Sequence, residues 1–341
     1  MPDRIPNSPP VINLVPENTK RPLWSVMIPA YNCITFLGKT IESVLAQDYG
    51  VTNMQIEVVD DCSTDGDVEQ LVKKIGKGRI SFFRQDTNMG SLRNFETCLN
   101  RSKGRWIHLL HGDDMVKQGF YKEIECLFKD NLAVGAALTA CDNIDENGIE
   151  GRGFNTINNS PGIIDDWLTK ISRFQMLQPP SIVIKREVYE RLGGYFGVHY
   201  GEDWEMYARI AKHYPVAYSP KRLALYRVHD NNISSQFIAS GQSVKDIRKV
   251  INVIQNYLPQ NTRKPTKKIS KKHFSIYFAS AAHQTFNVYH YRKIALKQAH
   301  AAFFFHANTT TFLLVVKLYL KCLFNIRRSP PSNKVPGNDT L

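Results

Sequence analysis

The sequence lacks several patterns that identify common classes of protein. Its six cysteines are scattered and form no Cys-x-x-Cys pair, which argues against a zinc knuckle or a thioredoxin-type redox site. No Gly-x-Gly-x-x-Gly follows the first apolar segment, which excludes a Rossmann dehydrogenase. The apolar run at residues 312–324 has 13 residues and includes two lysines, so it is shorter than the ~20 residues that span a bilayer.

The first 22 residues lack an apolar core as well. They are rich in proline and asparagine, unlike a signal peptide or a membrane anchor, and they predict a flexible or surface-hugging lead-in. With no secretory signal, we expect a cytoplasmic protein whose cysteines are reduced.

Acidic residues are fewer than basic ones, with 31 Asp and Glu against 44 Lys and Arg and a net charge of +13. This balance suits partners that carry phosphate, although a basic surface without a dedicated partner is an alternative. The basic run at residues 263–273 has no interleaved aromatic residues, and no nucleic-acid-binding module is found. Nucleic acid is therefore not an expected partner.

Short apolar segments alternate with helical patterns from residue 24 onward. Strands are predicted at residues 24–28, 55–59, 79–84, 105–110, 133–140, 181–185 and 223–228. The alternation predicts an α/β fold with a mostly parallel central sheet and helices on both faces. We expect a core domain over 23–240 after the lead-in at 1–22, then a helical region over 241–328 with a linker at 259–265, and a flexible tail over 329–341.

Adjacent carboxylates follow one predicted strand, at the kind of position where ligands of parallel sheets bind. Asp113 and Asp114 follow the apolar residues 106–110 after His111 and Gly112, and two such groups repel each other unless a cation or donors satisfy them. Oxygen ligands of this type suit Mg²⁺ or Mn²⁺. The alternative is an N-cap pair before a helix over 115–128.

Asp60 and Asp61 end another strand in the same way and are candidates for reading a base or ribose. The residues that follow, 63–65, are expected to cap the next helix. Arg93 stands near the start of a later predicted helix, where it could pair with a phosphate or with an internal carboxylate.

Two further polar clusters lie beyond residue 200. Glu202 and Asp203 begin a predicted helix, where they could favour the helix dipole or supply a general base. The loop at 226–234 follows a strand and gathers Arg227 and His229. A lone histidine is more often structural than a ligand, so both interpretations of His229 stay open.

Six motifs occur in one order with plausible gaps: SVMIPAYN, EVVDDCSTDG, NMGSLRN, LLHGDD, GEDW and YRVHDNNIS. As a set they resemble the family-2 type of inverting glycosyltransferases with the GT-A fold, over roughly residues 24–235.

The resemblance implies a role for each matching residue. A nucleotide-sugar donor, a UDP-sugar by preference, would lie against Pro29, Ala30, Tyr31, Asp60, Asp61, Arg93 and Asp113. Asp114 and His229 would hold Mn²⁺ or Mg²⁺. Asp203 would be the catalytic base. Residues 178–181 and 193–195 would shape the acceptor side.

The sequence departs from the family pattern at His111, where the family often has an acidic residue, so the exact set of metal ligands stays open. Because of this position, a catalytically inactive nucleotide-sugar-binding or scaffold protein is the alternative. No Gln-x-x-Arg-Trp motif follows Asp203, which favours transfer of single sugars over polymer synthesis. The resemblance implies surface polysaccharide or glycoconjugate synthesis, with a glycan or lipid-linked glycan as acceptor.

The C-terminal helices leave two interpretations open. Residues 312–324 could form an amphipathic helix in the interface of the inner face of the cell membrane, giving a peripheral membrane contact. Alternatively, they belong to a helical subdomain that packs on the core or on a second subunit of a homo-oligomer.

Overall fold

The computed structural model describes residues 3–151, 153–229, 241–288 and 290–326. The chain divides into two compact units, one formed by Met1–Trp167 with Met176–Arg227 and the other by Leu168–Gln175 with Val228–Leu341. The predicted domain boundary at residue 240 and the predicted tail after residue 328 lie outside the described residues.

The first unit contains a sheet of nine strands. In chain order these are β1 (Trp24–Ala30), β2 (Met54–Asp60), β3 (Ser81–Arg84), β4 (Trp106–Leu109), β5 (Met115–Val116), β6 (Ala136–Ile144), β7 (Gly162–Ile163), β8 (Ile182–Lys185) and β9 (Val216–Arg227). The helices up to residue 213 are α1 (Ile34–Leu45), α2 (Val68–Gly76), α3 (Ser91–Arg101), α4 (Phe120–Asp130), α5 (Trp167–Ile171), α6 (Arg186–Leu192) and α7 (Glu202–His213). All of them belong to the first unit except α5, which belongs to the second unit from Leu168 onward.

The sheet has the order β3-β2-β1-β4-β8-β6-β9-β5, with β7 paired to β9. Strands β3, β2, β1 and β4 are parallel, whereas β8 is antiparallel to both of its neighbours. The α/β class is confirmed, and the parallel pairing predicted from the alternation holds for the first four strands. Beyond β4 the strands are no longer separated by regular crossover helices, and the sheet becomes mixed.

Strand β1 is buried on both faces, as expected for a central parallel strand. Trp24, Val26 and Ile28 join one core cluster with side chains of α1, α2 and α4. Successive strand residues point to opposite faces, so Met27 faces the other side of the sheet, where α3 contacts β1. Helices therefore cover both faces, as the sequence predicts.

The helix expected over 115–128 is not formed as predicted. Met115 and Val116 pair with Leu225 and Ala224 of β9 instead, and the helix begins only at Phe120. The intervening Gly119 has φ +92°, a conformation that glycine adopts without strain and that redirects the chain. Asp113 and Asp114 therefore precede a strand, and the N-cap alternative for them is wrong.

The lead-in at residues 3–22 lies along the surface of the first unit and binds to it. The Pro10 carbonyl accepts a hydrogen bond of 2.9 Å from the Gly194 N–H, and the Pro6 carbonyl accepts one of 2.9 Å from the Gly197 N–H. Ile12 is buried. These contacts make residues 3–22 part of the folded unit.

The second unit is helical in the part that the structure describes. Its main helices are α8 (Gln242–Ile254), α9 (Gln260–Asn287), α10 (Arg292–Phe305) and α11 (Thr309–Leu323). The linker expected at 259–265 is wrong, because α9 starts at Gln260 and contains Pro265. A proline near a helix start removes only one backbone hydrogen bond, and the helix continues beyond it. Within the described residues, no helix has the length and apolar character that crossing a membrane requires.

Candidate active site

The carboxyl ends of β1, β2 and β4 are joined by backbone hydrogen bonds. The Asp61 N–H donates to the Ala30 carbonyl over 2.8 Å, and the Gly112 N–H donates to the Pro29 carbonyl over 3.1 Å. The segments after these strands therefore meet at one edge of the sheet. Sequence position alone predicts this arrangement, because the ends of parallel strands share an edge.

The polar residues after β2 bind the segment after β1. The Asn32 N–H donates to Ser63 Oγ over 2.9 Å, and the Ile34 N–H donates to an Asp65 carboxylate oxygen over 2.9 Å. The expectation that residues 63–65 cap α2 is wrong, since Asp67 is the cap and accepts a bond of 2.9 Å from the Gln70 N–H. The side chains thus hold the strand-end loops together.

Asp60 and Asp61 are both buried, and both have protein partners. Asp60 forms an ion pair with Arg84 and accepts a bond from the Ser63 N–H. Asp61 accepts bonds from the N–H groups of Met89 at 2.7 Å and Gly90 at 2.8 Å. Burial raises the pKa of Asp61 above its usual value, and these two donors offset part of that rise.

Arg93 pairs with an internal carboxylate, one of the two alternatives predicted for it. Its Nη1 lies 2.6 Å from Glu96 Oε2, and its Nε donates to the carbonyl of Asp3 in the lead-in over 2.8 Å. Arg84 is the cation beside Asp60, and sequence reasoning missed it. The sequence shows that Arg84 ends the strand predicted at 79–84, and the structure places it in register with Asp60 at the end of β2.

His111, Asp113 and Asp114 form a cluster whose ligand atoms all lie within 4.8 Å of one another. His111 stacks on Phe95, with ring centroids 5.1 Å apart. Burial lowers the pKa of His111, so its ring is neutral at neutral pH and can act as a ligand. The position that departs from the family pattern therefore adds a third candidate ligand.

Asp114 is the most deeply buried member of this cluster. Its Oδ1 accepts a bond of 2.9 Å from the Arg227 N–H, while its Oδ2 has no hydrogen-bond partner among the described residues. Burial first, and then the neighbouring Asp113, raise the pKa of Asp114 well above its usual value. A buried carboxylate oxygen without a donor is costly, and a divalent cation would satisfy it.

Arg227 is a second residue whose role the sequence did not indicate. Its buried side chain donates to the Asp113 carbonyl over 2.7 Å and to the Asp145 carbonyl over 2.6 Å. The guanidinium carbon also lies 4.8 Å from the ring centroid of Phe36. Arg227 thus joins the end of β9 to the Asp113-Asp114 segment. His229, two residues further on, belongs to the second unit, and its role as a metal ligand stays a prediction.

Asp203 stands in the first turn of α7 and lines a cavity together with His111. The other lining residues are Phe95, Leu109, Pro179, Ile182, Ile184, Tyr189, Tyr195, Glu202 and Tyr207. Glu202 is a second carboxylate of this cavity. Glu205, in the same helical turn, is buried in an ion pair of 3.0 Å with Arg209 and has a structural role.

Carboxylates from different acidic clusters affect the pKa values of the same side chains. Burial raises the pKa of Tyr207, and Asp203 and Asp114 both raise it further. Burial likewise raises the pKa of Cys33 far above its usual range, with added effects from Asp113 and Asp60. Carboxylates after β4 therefore share a neighbour with Asp203 at Tyr207 and a neighbour with Asp60 at Cys33.

Residues 25–193 match the model of the family described as glycosyl transferase family 2. The chain belongs to this family. This glycosyltransferase is 25% identical over 224 residues to an uncharacterized glycosyltransferase of Haemophilus influenzae. The match covers 63% of this chain and 68% of the relative.

Two relatives of this glycosyltransferase have names from polysaccharide synthesis. It is 34% identical over 145 residues to the succinoglycan biosynthesis protein ExoO of Rhizobium meliloti, covering 42% of this chain and 38% of ExoO. It is 34% identical over 128 residues to TuaG of Bacillus subtilis, named for teichuronic acid biosynthesis, covering 36% of this chain and 50% of TuaG. The chain thus spans half or less of either relative.

Solved structures support the GT-A fold of this glycosyltransferase. Residues 1–349 of TarS of S. aureus, in complex with UDP-GlcNAc, are similar with a TM-score of 0.63 at 16% identity, over 89% of this chain and 92% of that fragment. The mannosyltransferase PcManGT of Pyrobaculum calidifontis, in complex with GDP-Man and Mn²⁺, gives 0.51 at 18% identity, over 92% and 90%.

Proposed function

We propose that this glycosyltransferase moves single sugars from a UDP-sugar to a hydroxyl group of a glycan or lipid-linked glycan, with inversion at the anomeric carbon. The observation that carries the proposal is the cavity lined by both His111 and Asp203, with Asp113 and Asp114 adjoining His111. The polysaccharide names of two relatives and the UDP-GlcNAc bound to TarS support this donor and this setting.

The nucleoside end of the donor lies, in this proposal, along Pro29, Ala30 and Tyr31. Tyr31 is exposed directly after β1 and offers a ring face. Asp61 acts there by holding the Met89–Gly90 backbone next to the donor.

Asp60 supports the same loop edge through its ion pair with Arg84. Arg93 acts on the diphosphate end by fixing the start of α3 through its pair with Glu96.

The residues present fit a hard divalent cation, Mn²⁺ or Mg²⁺. Asp114 brings an oxygen without a hydrogen-bond partner in the described chain, Asp113 brings a second carboxylate and His111 a neutral imidazole. His229 remains a proposed further ligand. When bound, the ion supplies positive charge that offsets the charge developing on the leaving nucleoside diphosphate. The Mn²⁺ in the PcManGT complex supports this choice.

Asp203 is the general base in this proposal. The acceptor oxygen forms a bond to the anomeric carbon while the bond from that carbon to the diphosphate oxygen breaks, and the hydroxyl proton passes to the Asp203 carboxylate. One displacement from the opposite face inverts the anomeric centre. Burial raises the pKa values of Tyr195 and Tyr207, so these phenols stay protonated at neutral pH and do not compete as bases.

The two carboxylates of the cavity allow a matched test. Asp203→Asn should lower kcat by at least ~10²-fold with the donor KM unchanged, the loss expected when a general base is removed. Glu202→Gln should retain most of the activity. Both are measured by UDP release with Mn²⁺ and a glycan acceptor, and the anomer of the product is assigned by NMR.

A reversed pattern would move the base to Glu202. Donor binding without UDP release in the parent chain would support the inactive nucleotide-sugar-binding protein instead.

A further inference from the structure

Helix α11 has apolar side chains on two opposite faces. On one face Leu318 and Cys322 pack against Ala282 and Phe286 of α9 and against residues of α10. On the other face apolar side chains are 37% to 70% exposed: Phe312, Leu313, Val316, Leu320 and Leu323. These five positions form one stripe at helical spacing. We call this stripe the outer face of α11.

Aromatic residues extend the outer face at its N-terminal end. Phe303 of α10 has its ring centroid 6.2 Å from that of Phe312 and 6.0 Å from that of Phe304. Phe304 is 80% exposed. Soluble monomers rarely leave a contiguous apolar patch of this kind in water, and such patches mark interaction sites.

The charge of the surrounding helices selects the partner. Residues 241–326 contain fourteen Lys and Arg and a single acidic residue, Asp246, which gives this region a net charge of +13. The whole chain has the same net charge of +13, so all of the excess positive charge lies in the helical region. A second copy would bring a surface of the same sign, which opposes self-association, whereas an anionic surface is attracted.

Within the outer face, lysine lies beside the apolar stripe. Lys317 is exposed one turn after Leu313, and Lys321 follows one turn later. A lysine at this border can bury its aliphatic stem while its ammonium group reaches phosphate groups. An apolar stripe bordered by cations, on a helix too short to span a bilayer, is typical of helices that lie in the membrane interface.

We propose that the outer face of α11 inserts into the interface of a membrane that contains anionic lipids. The helix lies parallel to the membrane plane, with its apolar side chains at the level of the upper acyl chains and the lysines among the headgroups. The inference does not depend on sugar transfer, because it rests on the exposed stripe and the charge of the helical region.

Vesicle flotation with the full chain tests this proposal. The chain should float with vesicles of phosphatidylcholine and phosphatidylglycerol, and much less with phosphatidylcholine alone. Leu313→Gln/Leu320→Gln should weaken binding by roughly 100-fold, since each leucine withdrawn from water contributes about tenfold. Lys317→Glu should weaken binding to the anionic vesicles only.

The matched control is Val51→Gln/Leu132→Gln, which changes two apolar residues of the first unit that are even more exposed than Leu313 and Leu320. It should bind vesicles like the parent, and thermal melts should show that all variants fold. Equal flotation of Leu313→Gln/Leu320→Gln and the parent would overturn the proposal. Absence of flotation in the parent would also overturn it. A third contradicting result is that the parent is a dimer and that Leu313→Gln/Leu320→Gln makes it a monomer while flotation stays the same.

Discussion

Oδ1 of Asp114 accepts a hydrogen bond of 2.9 Å from the backbone N–H of Arg227. This bond joins the segment after β4 to the end of β9 and orients the carboxylate. It satisfies one oxygen and leaves Oδ2 without a partner in the described residues. The protein thereby fixes the direction of the Asp114 carboxylate while one of its oxygens accepts no hydrogen bond from the described residues.

The first prediction concerns metal binding by Asp114. The parent chain should gain thermal stability from Mn²⁺, by about 2.7 kcal/mol at a hundredfold excess over Kd, and Asp114→Asn should lose that gain. Without metal, the variant should be as stable as the parent or more so, because a neutral amide avoids the cost of a buried charge. Thermal unfolding with Mn²⁺ and with EDTA measures both effects.

Asp86→Asn is the control for this experiment, because Asp86 is an exposed carboxylate outside the cluster. It should keep the full response to Mn²⁺. An undiminished response in Asp114→Asn would remove Asp114 from the metal site.

The second prediction concerns stability at acid pH. His108 is buried, and burial lowers its pKa to about 3. In the neutral ring Nε2–H donates to the Pro180 carbonyl, and Nδ1 accepts from the Tyr121 hydroxyl. The His108 side chain takes up a proton near pH 6.5 in the unfolded chain but not in the folded chain. The folded state therefore has its full stability above pH 6.5, and proton uptake by the unfolded chain lowers that stability as pH falls toward 3. The free energy of unfolding should fall by about 1.4 kcal/mol per pH unit in this window.

Urea denaturation between pH 7 and pH 4 measures this slope. His108→Gln removes the titrating group, so its stability should depend less steeply on pH in the same range. An identical slope in both chains would show that other groups cause the acid sensitivity.

The third prediction concerns the lead-in. Ile12→Ala should lower the free energy of unfolding by roughly 2–5 kcal/mol, because Ile12 is buried against the first unit. Its neighbour Val11 is exposed, so Val11→Ala is the matched control and should change stability by less than about 0.5 kcal/mol. Chemical denaturation of the full chain measures both. If Ile12→Ala lowers stability no more than this small change, the buried lead-in does not contribute to the stability of the fold.

The fourth prediction concerns the close approach of two strand-end loops. A Cβ added at Gly112 would stand 2.7 Å from Cys33 Sγ and 3.2 Å from the Pro29 carbonyl oxygen. Gly112→Ala should therefore push the loops apart and weaken Mn²⁺ binding, as measured by thermal shift. Adding Cys33→Ala removes the nearer atom and should restore part of the binding. If the double variant is no better than Gly112→Ala, the contact with Cys33 is not the cause.

The sequence was most informative for residues at the ends of neighbouring parallel strands, because their position in the chain alone determines where they lie in the fold. Buried apolar residues at 24–28 and 55–59 predict neighbouring parallel strands, and this pairing puts the segments that follow them at one edge. Asp113 and Asp114 lie at that edge for the same reason. The start of α7 at Glu202 also agrees with the prediction.

Other features depend on contacts between remote residues, which a single sequence does not contain. Arg93 could have faced a phosphate or a carboxylate, and only the folded chain brings it to the carbonyl of Asp3. Its pair with Glu96, by contrast, is a local contact three residues along α3. The ring of His111 joins the acidic pair because the turn after β4 folds back, with the Asp114 N–H donating to the His111 carbonyl. Pairing of Met115 with β9 likewise overrides a local preference for helix.

The contacts of the lead-in have a consequence for synthesis of the chain on the ribosome. Pro6 and Pro10 leave the exit tunnel before the N–H groups that bind their carbonyls, at Gly197 and Gly194, which follow roughly 190 residues later. At ~5–20 residues per second this delay is roughly 10–40 s. During that interval the leading segment of the nascent chain lacks these partners, so the first unit closes only after Gly197 has been synthesised.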